Sequence, residues 1–431
     1  MTPRLVPLFC VCILILPCRT TFADDEGDEP VDPFAWARRL DEADLFYSLS
    51  DRVAIELRGE LTGELFVTGD ESPGLSIEDP SSRDGEFSTA DESDGAQAAY
   101  RLRLFLDGFY DDWLSWTIEL RTDATTGAHG YAGIRAEQYF ARADVLDQDR
   151  LSFQLGKFSA PIGNFIPRHH AADNPLTTWP LAYDHLTTLT SAADSAAALL
   201  GNRDVPDVKT WYTPIWQAVY GTGAMAFGTV EDFRLAFAVM NSAPASLPDQ
   251  WDLRSHQFDR PSYYLRASRS LDITTTVGAS LAHGPYDNDD SIRSGPGVPA
   301  IDGQDHDQTL AGIDVAFSSG YLELFAEAYW SQFEGEDVDD LELFTYYLEA
   351  KYRFRPGLYG AARFAQMFFG NIDDDAGRSR AWDRDATRVE LGGGYFFTEN
   401  LFVKATGQLN YTSGGREPDD HLLMVQLGLT F

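Results

Sequence analysis

Beyond residue 18 this chain of 431 residues contains no cysteine: Cys10, Cys12 and Cys18 are all it has. Without cysteine downstream, no disulfide can staple the fold, and backbone pairing and packing must hold it. Lysine is almost as scarce, confined to Lys157, Lys209, Lys351 and Lys404. The formal charge is −35. That excludes nucleic-acid binding of the kind that neutralises phosphates with Lys and Arg. After residue 23 no apolar run reaches the roughly 20 residues that a membrane-crossing helix needs. The chain is therefore soluble, or it crosses a membrane in a form that hydropathy does not register.

Residues 1–23 read as a secretory signal peptide. Arg4 supplies the early charge, Leu5–Leu16 the short apolar run, and Thr21, Phe22 and Ala23 the end of the segment. Removing Arg4 and Arg19 with it shifts the charge from −35 to −37 for residues 24–431. Residues 24–50 are acidic and read as a periplasmic N-terminal extension, with a short helix expected over 34–45.

From residue 51 the pattern has period two. Val53, Ile55, Leu57, Leu61 and Leu65 alternate with Glu56, Arg58, Glu60, Thr62 and Glu64. Successive strand side chains point to opposite faces, so one face is oily and the other charged. The same alternation recurs sixteen times: 53–65, 101–107, 116–121, 134–143, 151–158, 215–223, 233–241, 262–270, 273–282, 309–317, 321–330, 344–354, 358–367, 387–396, 401–411 and 422–431. In 344–354, Thr345, Tyr347, Glu349, Lys351 and Arg353 oppose Phe344, Tyr346, Leu348, Ala350 and Tyr352.

The connections alternate as well. Long ones at 69–97, 122–133, 159–210, 243–261, 284–308, 331–343, 368–386 and 412–421 are separated by short ones such as Glu231-Asp232 and Leu271-Asp272. An antiparallel meander with all its long loops on one side is the pattern of an outer-membrane barrel. Sixteen strands without an edge require closure, which disfavours a soluble sandwich. Aromatics near strand ends fit interfacial girdles: Phe109, Tyr110 and Trp113, Tyr263 and Tyr264, Tyr329 and Trp330, Tyr395, Phe396 and Phe397. The expected fold is thus all-β: a transmembrane antiparallel β-barrel over 51–431, with long extracellular loops and short periplasmic turns.

Two stretches carry a resemblance. Phe431 closes an alternating last strand, which resembles the C-terminal assembly signal that outer-membrane proteins present to the barrel-assembly machinery. Gly156, Phe158, Pro161 and Gly163 fall on the G-x-F-x-x-P-x-G passage of the phosphate-selective porin (O/P type) family, and 101–109 and 349–363 are similar to strands of that family. The resemblance implies a sixteen-stranded porin, often a homotrimer, passing anionic solutes. The family's constriction rests on inward arginines and a lysine cluster, and this acidic chain departs from it in having four lysines.

Loop 159–210 is singular. It holds five acids against three basic residues, where 69–97 holds nine against one, and it carries Pro161, Pro167, Pro175, Pro180 and Pro206 with Phe165, Trp179 and Tyr183. Such a composition suits a loop packed inward on a barrel wall as a constriction. Arg168, His169 and Asp173 are expected at its rim. Lys157, Arg101, Arg103, Glu119, Arg121, Arg135 and Glu137 are expected to line the pore, where mixed charges choose among ions.

His169, His170, Asp173 and Ser159 show no nucleophile elbow and no metal-binding helix, so no enzyme, metal or cofactor is expected. The expected function is a porin, an open but narrowed channel for passive diffusion of small ions or hydrophilic solutes across outer-membrane lipid. The alternative is a structural or adhesive outer-membrane barrel whose acidic loops, such as 287–290, 334–340 and 373–375, bind partners or divalent cations.

Overall fold

The computed structural model describes residues 45–68, 97–125, 134–146, 150–189, 195–204, 212–252, 257–287, 306–335, 338–374, 376–413 and 421–431. The strands are β1 (Phe46–Ser50), β2 (Val53–Thr68), β3 (Gln97–Tyr110), β4 (Leu114–Thr125), β5 (Arg135–Leu146), β6 (Leu151–Ser159) and β7 (Tyr220–Val230). They continue as β8 (Phe233–Met240), β9 (Ser262–Ser270), β10 (Thr275–Pro285), β11 (Asp307–Ser319), β12 (Leu322–Gly335), β13 (Val338–Arg355) and β14 (Leu358–Phe369). A small hairpin, β15 (Asn371–Asp373) and β16 (Ser379–Ala381), precedes β17 (Ala386–Phe396), β18 (Leu401–Thr412) and β19 (Leu422–Thr430).

Apart from β1, β15 and β16, the sixteen strands form one closed antiparallel barrel. The ring closes where β19 pairs with β2, from Leu422↔Thr68 to Thr430↔Glu60. β1 then takes the same edge of β2 below the end of β19, with Phe46↔Glu56 and Tyr47↔Ile55. The two ends of the barrel chain thus meet on one strand. The Gly59 amide donates to Phe431 O at 2.7 Å, and the Phe431 amide returns a bond to Gly59 O at 3.0 Å. A Cβ on Gly59 would lie 2.3 Å from the Phe431 ring, so only glycine admits the ring there.

The polarity of the barrel is inverted. Leu65, Ile313, Leu348, Leu391 and Leu427 are exposed on the outside, while Glu64, Asp314, Glu349, Glu390 and Gln426, one residue away in each case, are buried within. A surface of this kind is stable only against hydrocarbon, and closure leaves no unpaired backbone edge in it. The barrel is therefore transmembrane. Exposed aromatics flank the band near the turns (Phe109, Tyr110, Trp113, Tyr352) and near the loops (Tyr100, Phe344, Phe368, Tyr411).

Several sequence expectations need correction. The strand expected at 215–223 starts at Tyr220. Gln217 and Val219 have φ of 48° and 46°, and left-handed backbone cannot continue a strand. The long third connection therefore runs from 160 to 219. The expected loop 331–343 is mostly strand, since β12 and β13 stay paired through Phe333↔Leu341. Phe333, Leu341 and Leu343 point into the barrel and are buried, an inward pattern hidden by the acidic residues between 334 and 340. Tyr264 and Tyr329, read as girdle residues, are 1% exposed and face inward. Residues 46–50 of the expected extension form β1. The expected helix at 34–45 and the signal segment lie outside the described residues, Leu45 excepted.

The core sits inside the lumen rather than between layers. Phe158, Ile162, Phe165, Leu181, Tyr183 and Trp216, from β6 and the connection after it, pack with Leu310, Tyr329, Phe333, Tyr347 and Met367 of the wall.

Candidate functional site in the barrel lumen

One wall of the lumen carries a row of arginines. Cross-strand register sets Arg103 on β3 opposite Arg121 on β4, and Arg121 opposite Arg135 on β5. Like charges directly opposite destabilise a sheet unless acids intervene. Glu119 and Glu137 do so. Arg103 Nη1 donates to Glu119 Oε1 at 3.1 Å, Arg121 Nη1 lies 3.8 Å from Glu137, and Arg135 Nε donates to the same carboxylate. Gln138 Nε2 donates to the second oxygen of Glu119 at 2.8 Å. Arg101 lies on β3 opposite Thr62 of β2. Lys157 on β6 donates to Asp252 Oδ1 at 2.8 Å and to Ala136 O at 3.2 Å.

The connection 160–219 enters this lumen. Gly163 turns it inward at φ +57°, and a Cβ there would stand 2.1 Å from the Tyr329 hydroxyl and 2.4 Å from Glu327 Oε1. This glycine belongs to the passage singled out from sequence, and its physical reason is the contact with β12. The next two amides, of Asn164 and Phe165, both donate to Glu327 Oε1, the second at 2.8 Å. Tyr183 donates its hydroxyl to Glu327 Oε2 at 2.6 Å. One buried carboxylate thus receives three donors, which offsets the cost of burying it.

Among the expected rim residues, Arg168 donates to Glu349 and, at 2.9 Å, to the Tyr347 hydroxyl. Its guanidinium also lies 3.9 Å from the Phe325 ring centroid. His169 donates from Nδ1 to Ile166 O at 2.5 Å, and its Nε2 accepts from the Tyr220 hydroxyl at 3.1 Å and lies 3.4 Å from Arg103 Nη1. His169 thereby joins the loop to the arginine row. Asp173 is exposed, with its amide bonded to His170 O at 3.0 Å. The fold brings Arg103, Glu119, Arg121, Arg135 and Glu137 together, with His169 against Arg103. Arg168 joins a second cluster on β12–β14, away from them.

That second cluster escaped the sequence reading. Arg363 donates to Glu349 at 2.8 Å, to Glu390 at 3.1 Å, to Thr178 O at 2.9 Å and to Asn174 Oδ1 at 3.0 Å. Arg388 donates to Asp184 at 2.6 Å and to Trp179 O at 3.0 Å. Lys404 donates to Asn174 O at 2.7 Å and also to Ala171 O. The signal was the strand parity: Arg363, Arg388, Glu390 and Lys404 all lie on the charged face of their strands. Sequence could not reveal which of these faces met the loop.

Two adjacent loop groups are perturbed in opposite senses. Burial pushes the Asp184 carboxyl up to about 6, even though Arg388 beside it acts to lower it. Burial, with Arg388 adding to it, holds His185 down to about 3.

Among the described residues no group of three or more His, Cys, Asp or Glu is placed to hold a metal ion. Of the acidic runs, Asp374 spends its carboxylate on the Ala376 and Arg378 amides and the Arg378 side chain within its own turn. Residues 288–290, 336–337 and 375 lie outside the described residues.

No family model and no curated protein matches this chain. Solved structures do. The anion-selective porin from Comamonas acidovorans aligns with TM-score 0.54 at 10% identity, covering 88% of this chain and 100% of that one. The outer membrane channel DcaP of Acinetobacter baumannii gives 0.53 at 11%, covering 89% and 99%. OmpT of Vibrio cholerae, an outer membrane protein in its trimer form, gives 0.52 at 10%, covering 88% and 100%. At such identities the likeness bears on fold, and it agrees with the strand count and the inverted polarity: the chain folds as a sixteen-stranded transmembrane barrel of porin architecture.

Proposed function

We propose that this protein is an outer-membrane porin, a channel for passive diffusion of small ions or hydrophilic solutes, with its lumen narrowed by the connection after β6. The observation that carries the reading is the charged interior. The arginine row with Glu119 and Glu137 lies across β3–β5 inside a barrel whose outside is apolar. The interior of a transmembrane barrel is polar, and mixed charges arranged across neighbouring strands of a pore set the field that chooses among ions. Residues 1–23 act as the export signal and Phe431 as the assembly signal in this reading. The trimer form of the Vibrio cholerae relative supports a homotrimer.

The solute class is read from charge. Arg103, Arg121 and Arg135 stand against three acids, Glu60, Glu119 and Glu137, so the row supplies little free positive field. The chain as a whole is strongly acidic, and acidic loops at the mouth accumulate cations. We therefore assign weak or cation-leaning selectivity rather than the phosphate preference that the passage 156–163 would suggest. Reversal potentials in planar bilayers under a salt gradient, with and without phosphate, test this. A strong anion-side potential restores the phosphate reading, and the absence of any discrete channels removes the porin reading.

A further inference from the structure

We infer that the connection after β6 is a plug rather than an eyelet, and that the lumen is closed at mid-height until the segment 163–184 leaves its seat. This inference deepens the channel reading above and rests on it. Two observations carry it.

The first is reach. Among the described residues, 163–184 hydrogen-bonds to ten of the sixteen barrel strands. On one side the Gly163 amide donates to Ser280 of β10 at 3.2 Å and Asn164 Nδ2 to Val315 O of β11 at 3.0 Å. On the other the Ala172 amide donates to Glu60 of β2 at 3.2 Å, and the Thr177 amide to Thr406 of β18 at 3.0 Å. A loop that only narrows a pore lies on one arc of wall, whereas this one is bonded around most of the circumference.

The second is burial. Each of the sixteen strands places an inward side chain at 6% exposure or less, from Glu60 on β2 and Arg103 on β3 to Lys404 on β18 and Gln426 on β19. An eyelet would leave the wall facing it open to water. Toward the turns the lumen reopens: the side chains of Arg58 and Arg353 are 51% and 54% exposed. The conformation is thus a vestibule open at the turn end and sealed above. On this inference the resting lumen is closed, where the sequence alone led to an open one.

The seat is built to be left intact or released as a unit. Apart from Arg168 Nε and Thr177 Oγ1, the buried side-chain donors and acceptors of 163–184 have partners, and such networks hold cooperatively. Small shifts do not open a packed site gradually, because packed interfaces switch between discrete arrangements. Opening is therefore all-or-none at the level of one barrel.

The absence of cysteine after Cys18 allows a direct test. Thr177→Cys/Thr406→Cys puts thiols on two residues already joined by the bond from the Thr177 amide to the Thr406 hydroxyl. Planar-bilayer recordings of the oxidised barrel should be silent, and reductant should restore openings. A barrel lacking residues 165–185, checked for folding by heat modifiability, should conduct steadily, with mean current more than about tenfold above the full chain. Equal current from oxidised and reduced protein, or a full chain as steadily open as the shortened one, overturns the plug while leaving the channel. A folded but silent shortened barrel overturns the channel reading itself.

Discussion

Arg168 of the lumen segment and Glu349 of the wall form an ion pair, 181 residues apart in the chain, and Glu349 is shared with Arg363 at 2.6 Å. The arrangement makes the two ends of the pair unequal. Glu349→Gln strips Arg168 of its carboxylate partner and leaves Arg363 with Glu390 alone, whereas Arg168→Gln leaves Glu349 its bond to Arg363. Breaking a buried pair so that a charge is stranded costs about 3–5 kcal/mol. Glu349→Gln should therefore lower the temperature of the heat-modifiability shift markedly and raise channel opening. Arg168→Gln should raise opening with a smaller loss of stability. Equal losses from the two variants would contradict the shared-carboxylate geometry.

Gly163 sets the angle at which the loop turns inward. Its φ of +57° and the 2.1 Å approach to the Tyr329 hydroxyl leave no room for a side chain. Gly163→Ala combines left-handed strain, about 1–3 kcal/mol, with a clash against Tyr329 and Glu327. The expected result is a loosened loop that trypsin cleaves faster while the barrel stays intact. Unchanged cleavage would show that the turn tolerates another conformation.

Asp184 and His185 predict pH effects of opposite sign. Asp184 has its carboxyl raised to about 6 in the packed lumen, against 3.8 when released. The packed state then holds the extra proton, so acidification from 6 toward 3.8 favours packing through this group. His185 is held down to about 3 against 6.5 when released. The released state takes that proton, so acidification below 6.5 favours release. Arg388 faces both groups, and Glu390 and Arg363 add to the field at Asp184. Protease protection of the loop measured from pH 7.5 to 4.5 should fall more steeply in Asp184→Asn than in the parent. In His185→Gln it should fall less steeply. Both slopes moving the same way would contradict the assignment.

The seam where β19 meets β2 depends on the Phe431 ring lying over Gly59. Gly59→Val places side-chain atoms where the ring sits, within 2.3 Å already at Cβ. Assembly into heat-modifiable barrel should drop, as it should for Phe431→Ala. Added to Phe431→Ala, the Gly59→Val change should cost little more, because the ring it displaces is gone. A full additive loss in the double variant would show that the two positions act independently.

The barrel was legible in the sequence because period-two alternation is a local property. In 344–354 the Thr345, Tyr347 and Glu349 face is buried, and the Phe344, Leu348 and Tyr352 face is exposed. Only the medium decides that the charged face is the inner one, and closure follows from sixteen strands without an edge. Boundaries failed where non-local contacts overrode composition. The acidic stretch before Leu341 reads as loop, yet Phe333 and Leu341 pair to cover the lumen core. The arginine row was found because β3, β4 and β5 are consecutive. Glu327, Arg363 and Lys404 were missed because their partners lie in a loop up to 233 residues away. No alternation pattern encodes a meeting of that kind.

Whether the lumen is a plugged channel is decided by single-channel recording from purified, heat-modifiable protein, as the full chain and with residues 165–185 removed. Discrete steps are expected from both, brief and rare from the full chain and sustained from the shortened one. Folded barrels of both kinds that never conduct would contradict this.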